Sequence, residues 1–181
     1  MKYILLILSI FLFSCSSHVE KNIEPVTQIK KVSERDREFA RQLFIDASMM
    51  DLENKFAEAI LDYQEALRLD PSAGIYYALG KDFLRLSKLS QALANTKMAV
   101  ELEPTNVEYL TLLGTIYSFS RNVDSAEVVF GKIVNLDSTD VNARFNLAQL
   151  NEAKSPLKSL ELYKEILSIT GPEWNVLLKM A

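Results

Sequence analysis

One interval governs this chain. Leu69, Leu102, Leu136 and Ile169 recur 33, 34 and 33 residues apart, each within a similar phrase: EALRLDP (65–71), MAVELEP (98–104), GKIVNLDS (131–138) and KEILSITGP (164–172). Self-similarity at this period means a stack of short units, none of which can bury its apolar face without a neighbour. Such stacks mostly hold and present partners rather than do chemistry. Attention therefore moves from catalytic residues to surfaces.

Other positions keep the same beat. Small residues fall at Ala59, Ala92 and Ala126, followed four residues later by Tyr63, Thr96 and Phe130, with Tyr163 in a fourth copy. Ala66, Ala99, Ile133 and Ile166 come three further on, while Leu79, Leu113 and Leu147 stand 34 apart in the first half of each unit. Apolar residues at i, i+3, i+4 and i+7 are helical spacing, and no strand-like alternation of useful length occurs. Asn54, Ser87 and Asn122 sit where one helix turns into the next. Ser155-Pro156 reads as an N-cap with proline at the first helical position, and Gly171-Pro172 as a stop. The fold class is all-α.

On these residues the chain resembles the tetratricopeptide repeat, a helix–turn–helix unit of about 34 residues. The second repeat (73–106) carries Tyr76, Leu79, Gly80, Phe83, Ala92, Ala99 and Pro104, with Thr96 at the aromatic position. The third (107–140) has Leu110, Leu113, Gly114, Tyr117, Ala126 and Phe130, but Ser138 in place of proline. The first (40–73) keeps Phe56, Ala59, Tyr63, Ala66 and Pro71 and has Asp46 and Ala47 for Leu-Gly; the fourth (141–172) is one residue short in its turn and has Ser159 at the small position. The resemblance covers about 130 of 181 residues. It implies a right-handed superhelical α-solenoid of antiparallel helix pairs over 33–181, with about four repeats and a short C-terminal cap at 173–181. Gly80, Gly114, Ala92 and Ala126 would let paired helices approach closely.

The first fifteen residues, MKYILLILSIFLFSC, have a different character. Lys2 precedes an apolar stretch from Tyr3 to Phe13, about half the roughly 20 residues needed to span a bilayer. Residues 1–14 read as a secretory signal. LFSC (12–15) resembles the bacterial lipobox, with Phe13 departing from the usual small residue, which makes Cys15 the expected lipid attachment site. Cys15 is the only cysteine, so an internal disulfide is impossible. Several acyl chains, at roughly 0.8 kcal/mol per buried methylene, hold a protein firmly to a membrane. Residues 15–32 lack a helical pattern, contain Pro25 and read as a tether. Ser33 then opens a helix over 34–51 through the box SERD. By resemblance to Gram-negative sorting rules, Ser16 after the cysteine implies the periplasmic leaflet of the outer membrane.

Composition excludes several classes. Net charge is −4, with a pI near 5.2, and Lys30-Lys31 is the longest cationic run of note, so the electrostatic footprint of a nucleic-acid binder is missing. His18, the only histidine, lies in the tether, which removes histidine-based metal sites and Ser-His or Cys-His nucleophiles. There is no glycine-rich phosphate loop. No cofactor, metal or catalytic residue is expected. Glu58/Asp62 and Glu101/Glu103 read as solvated faces or repeat ends.

The resemblance places a partner in the groove lined by the first helix of each unit. The groove positions are Phe44, Tyr77, Lys81, Thr111, Thr115, Phe145 and Gln149, with Ser48 and Leu84 beside them. Three aromatics at one such position imply an apolar seam for a helix or extended peptide, and Asn142 and Asn146 could bond its backbone. The Lys/Asn/Arg set that clamps a C-terminal carboxylate in chaperone-binding relatives is not reproduced. In PEWNVLLKMA (172–181), Trp174, Leu177, Leu178 and Ala181 share a face, expected to cap the last repeat, with a docking edge for another subunit as the alternative. The expected function is a membrane-anchored periplasmic scaffold binding a peptide or protein segment, in envelope assembly. A cell-wall enzyme subunit and a self-associating spacer are the competing readings: a buried acidic pair would favour the enzyme, an aromatic and amide lining the peptide.

Overall fold

The computed structural model describes residues 32–180. The signal segment, Cys15, His18 and the tether up to residue 31 lie outside the described residues, as does Ala181. Among the described residues there are nine helices and no strand. They run α1 (Glu34–Leu52), α2 (Phe56–Leu69), α3 (Ala73–Arg85), α4 (Leu89–Leu102), α5 (Val107–Phe119), α6 (Val123–Leu136), α7 (Val141–Asn151), α8 (Pro156–Thr170) and α9 (Trp174–Met180). Each odd helix pairs with the even helix after it, and each even helix packs on the next pair, which is the helical solenoid that the period predicts.

The helix ends follow local chemistry. Ser33 Oγ accepts the Asp36 amide at 3.1 Å, while Asn106, Asn122 and Asp140 cap α5, α6 and α7 in the same way. Ser155 holds the N-cap position of α8 with Pro156 behind it, but its side chain makes no capping hydrogen bond. The first three pairs share one turn. Lys55 N–H bonds the Met50 carbonyl, Lys88 that of Phe83, and Asn122 that of Tyr117, with Asn54, Ser87 and Arg121 at φ of 61°, 57° and 56°. This six-to-one closure over a left-handed residue is the Schellman motif. In the third pair the left-handed residue is thus Arg121, and Asn122 is the cap. The fourth pair, one residue shorter, passes through Glu152 in right-handed helical geometry instead.

Burial repeats with the sequence. Ala59, Ala92 and Ala126 are wholly buried; so are Ala66, Ala99, Ile133 and Ile166, and Tyr63, Phe130 and Tyr163 fill the space between helices. A Cβ on Gly114 would lie 2.8 Å from the Phe130 ring, and one on Gly80 would lie 3.3 Å from the Thr96 amide nitrogen. Those close approaches are what the two glycines permit. The leucines that mark the period play another part: Leu69, Leu102 and Leu136 end their helices, and the latter two are exposed.

At the C-terminal end the cap forms through the opposite face to the one expected. Val176 is buried beside Ala148, Tyr163 and Ile166, with Met180 partly buried against the same group. Trp174, 80% exposed, and Leu177 and Leu178 point outward. The rotation follows from size: β-branched Val176 fits the space left by α7 and α8. Among the described residues no helix is long and apolar enough to cross a membrane.

Candidate functional site

The first helices of successive pairs carry the predicted groove residues, and side-chain contacts join α1 to α3 and α3 to α5. α3 meets α5 where the Tyr77 ring stacks on Tyr109, centroids 4.9 Å apart, and the Tyr77 hydroxyl donates to Glu108 at 2.8 Å. Burial first, then the hydrogen bond to Glu108, pushes the Tyr77 phenol well above its ordinary pKa. α3 meets α1 where Lys81 Nζ donates to Asp51 at 2.7 Å. Between them, a cavity of about 320 Å³ has a floor of Ala40, Phe44 and Ile75 and a rim that includes Arg37, Arg41 and Asp70.

The three aromatics at the predicted position share one arrangement, and it is not a bare seam. Phe44 packs on Tyr63 at 5.4 Å, Tyr77 on Tyr109, and Phe145 edge-on against Tyr163 at 5.8 Å. Each is half-buried, with one side in the core and one side turned out. Thr111 is exposed, and its hydroxyl bonds back to the Val107 carbonyl; the half-buried Thr115 bonds to Thr111. Ser48 bridges the Phe44 carbonyl and the Tyr63 hydroxyl. Asn146 bonds the Asn142 carbonyl, and Gln149 stands exposed. Threonine and asparagine satisfied by their own helix present mainly carbon and lone pairs to a visitor.

Sequence reasoning missed the densest polar cluster. Asp51, at the end of α1, accepts hydrogen bonds from both Lys81 and Arg85 of α3, and the Arg85 guanidinium also lies 4.8 Å over the Phe56 ring. Burial pushes the Asp51 carboxyl up, but the bond and charge of Lys81, with the charge of Arg85, outweigh it and leave it below the ordinary range. Asp82, on the same α3, is fully buried, and neither of its oxygens has a hydrogen-bond partner. Burial first, then the neighbouring Asp51 charge, raises its carboxyl to about 7. One signal was available in the sequence: 34 residues on, the same place in the repeat is Ile116, so Asp82 stands where an apolar residue belongs.

This is a buried acidic pair, the feature that would favour hydrolysis. Its geometry does not serve that chemistry. Carboxyls that work on a glycosidic bond flank it at roughly 5–9.5 Å and reach the substrate. Asp82 has no exposed surface, and Asp51 is held by two cations. Glu58, Glu101 and Glu103 are exposed on the surface.

No protein-family model matches the chain. It is 30% identical over 157 residues to the BBSome complex member BBS4 of Bos taurus, covering 84% of this chain and 30% of that protein. It is 27% identical over 103 residues to the RNA polymerase-associated protein CTR9 of Caenorhabditis elegans, covering 52% of this chain and 9% of that one. The chain thus spans under a third of the length of these relatives. Among solved structures, the MamA protein superposes with a TM-score of 0.74 at 19% identity, covering 79% of each chain. A tetratricopeptide repeat protein from Parabacteroides merdae gives 0.75 at 15%, covering 78% of this chain and 57% of that one. The first such domain of Spaghetti (RPAP3), bound to the HSP90 peptide SRMEEVD, gives 0.62 at 19%, covering 65% and 94%. The described residues have the tetratricopeptide-repeat fold.

Proposed function

We propose that this chain is a non-catalytic scaffold that binds a peptide or protein segment along α1, α3, α5 and α7, and that Cys15 tethers it to the periplasmic face of a bacterial envelope membrane for envelope assembly. The observation that carries the binding reading is the α1–α3 cavity, floored by Ala40, Phe44 and Ile75. It is large enough for one apolar side chain, and a segment anchored there runs on past Thr111, Thr115, Phe145 and Gln149. A structural neighbour that holds a peptide supports this reading. The anchor reading rests on residues 1–15 alone: a short signal, then LFSC.

The test for the groove is crosslinking in cells followed by capture of the full-length protein. Thr111→Arg and Gln149→Arg place bulk on the face without touching core packing, while Val128→Arg, at a residue 73% exposed on α6, is the control. Partner recovery falls several-fold in the first two and holds in the control; equal recovery in all three rejects the groove. For the anchor, Cys15→Ala moves the protein from the membrane fraction to the soluble one. A variant that stays membrane-bound with its signal cleaved rejects lipidation.

A further inference from the structure

Asp82 needs a physical account. A buried carboxylate without a hydrogen bond is among the costlier groups a fold can hold, and in practice it takes up a proton instead. The groups facing it are Asp51 from α1, the Tyr63 phenol from α2, and Lys81 and Arg85 on its own α3. Both cations are already committed to Asp51, and the Arg85 nitrogen nearest Asp82 is 3.8 Å from its Oδ1, too far for a hydrogen bond. A proton on Asp82 changes the count: the acid becomes a donor, and the Asp51 carboxylate, held by the same Arg85 nitrogen that lies 3.8 Å from Asp82, is the acceptor on its side.

We propose that Asp51 and Asp82 share one proton and together form a pH-dependent latch that docks α1 onto α3. With the proton in place, two cations and one carboxylate surround a neutral acid, and Asp51 ties the end of α1 to Lys81 and Arg85. When the proton leaves for solvent, two buried carboxylates compete for the same cations. Arg85 can serve Asp82 only by loosening its hold on Asp51, which frees the C-terminal end of α1. Because Lys81 is both a partner of Asp51 and a groove position, the latch sets how the α1–α3 part of the groove is presented; that regulatory consequence, unlike the proton sharing, rests on the groove being the binding surface.

The direction follows from linkage. Asp82 titrates near 7 in the closed form, against 3.8 for a free side chain, so the closed form holds more protons across that window. Closure therefore weakens as pH rises from about 4 to about 7, by at most about ten-fold per pH unit, and levels off above.

Amide hydrogen exchange on the full chain between pH 5 and 9, corrected for the intrinsic rate, reads this directly. The opening equilibrium of α1 amides rises five- to ten-fold per unit from pH 5 to 7 and flattens above about 8, while α6 amides stay level. Asp82→Asn, which keeps the shape and carries no titrating proton, abolishes the rise. In parallel, ¹³C NMR of the wild-type Asp82 carboxyl shows a midpoint above 6. A midpoint below 5, an equal slope in Asp82→Asn, or an equal rise in α6 overturns the latch. If Asp82→Asn does not fold, the wild-type midpoint and the α1–α6 contrast decide alone. No partner enters this experiment, so its failure removes the latch and leaves the groove reading standing, whereas failure of the arginine panel does the reverse.

Discussion

The second and third repeats place the same helices around different contents. In the third, Ile116 and Phe130 are buried side chains of apolar kind, and the Phe130 ring lies across Gly114. In the second, the residues 34 positions earlier are Asp82 and Thr96, both fully buried, with the Asp82 oxygens and Thr96 Oγ1 all unpartnered. One unit is stabilised by burial and close packing, while the other gives up part of that and gains a titrating cluster. The backbone is indifferent to the exchange because the helix pairing is set by small residues at Ala92 and Ala126, which both units keep. Architecture and chemistry are therefore separable within one period.

The largest effect should come from emptying the third repeat. Phe130→Ala removes a ring that is 1% exposed and leaves a cavity, for a loss of about 3–5 kcal/mol by urea unfolding. A loss under about 1 kcal/mol would show that Phe130 is not the keystone of its repeat. Asp82→Ile makes the second repeat resemble the third and should stabilise the chain by about 1–3 kcal/mol at pH 7.5. The gain should fade as pH falls from about 7 toward 3.8, since in that window Asp82 is neutral in the folded wild type and ionised in the unfolded chain, so lower pH favours wild-type folding. A gain that is constant with pH would contradict the raised titration of Asp82. Gly114→Ala forces a methyl group against Phe130 and should cost about 1–3 kcal/mol. The same change paired with Phe130→Leu should cost less than the sum, which a double-mutant cycle measures. The smallest effect belongs to the shared turn. Arg121→Gly relieves a left-handed non-glycine residue and should raise stability by about 0.5–1 kcal/mol, visible as a small rise in melting temperature.

Much of this fold was legible in advance because it is local. The Ser33 box, the helix over 34–51, the stop at Gly171 and the buried alanines at 59, 92 and 126 each follow from a few neighbouring residues and a repeated spacing. The groove was legible only as a list of positions. Phe44, Tyr77 and Phe145 lie on the expected helices, yet each has one side covered by a tyrosine from another helix, which no periodicity in its own helix can report. The α9 face was misjudged for a related reason. Trp174, Leu177 and Leu178 form the larger apolar stripe, but the space left by α7 and α8 accepts Val176.

The period, the helix pairs and the turns between them are properties of the chain read in one dimension, because capping, helical spacing and stacking depend on residues within about one repeat of each other. The meeting of Asp51 with Lys81 and Arg85, 30 and 34 residues away, and the stranding of Asp82 beside them, were decided only by the packing of α1 on α2 and of α2 on α3. Charges attract too weakly across solvent to arrange such a cluster; it exists because apolar burial brings the helices together first and leaves those side chains to settle where they are.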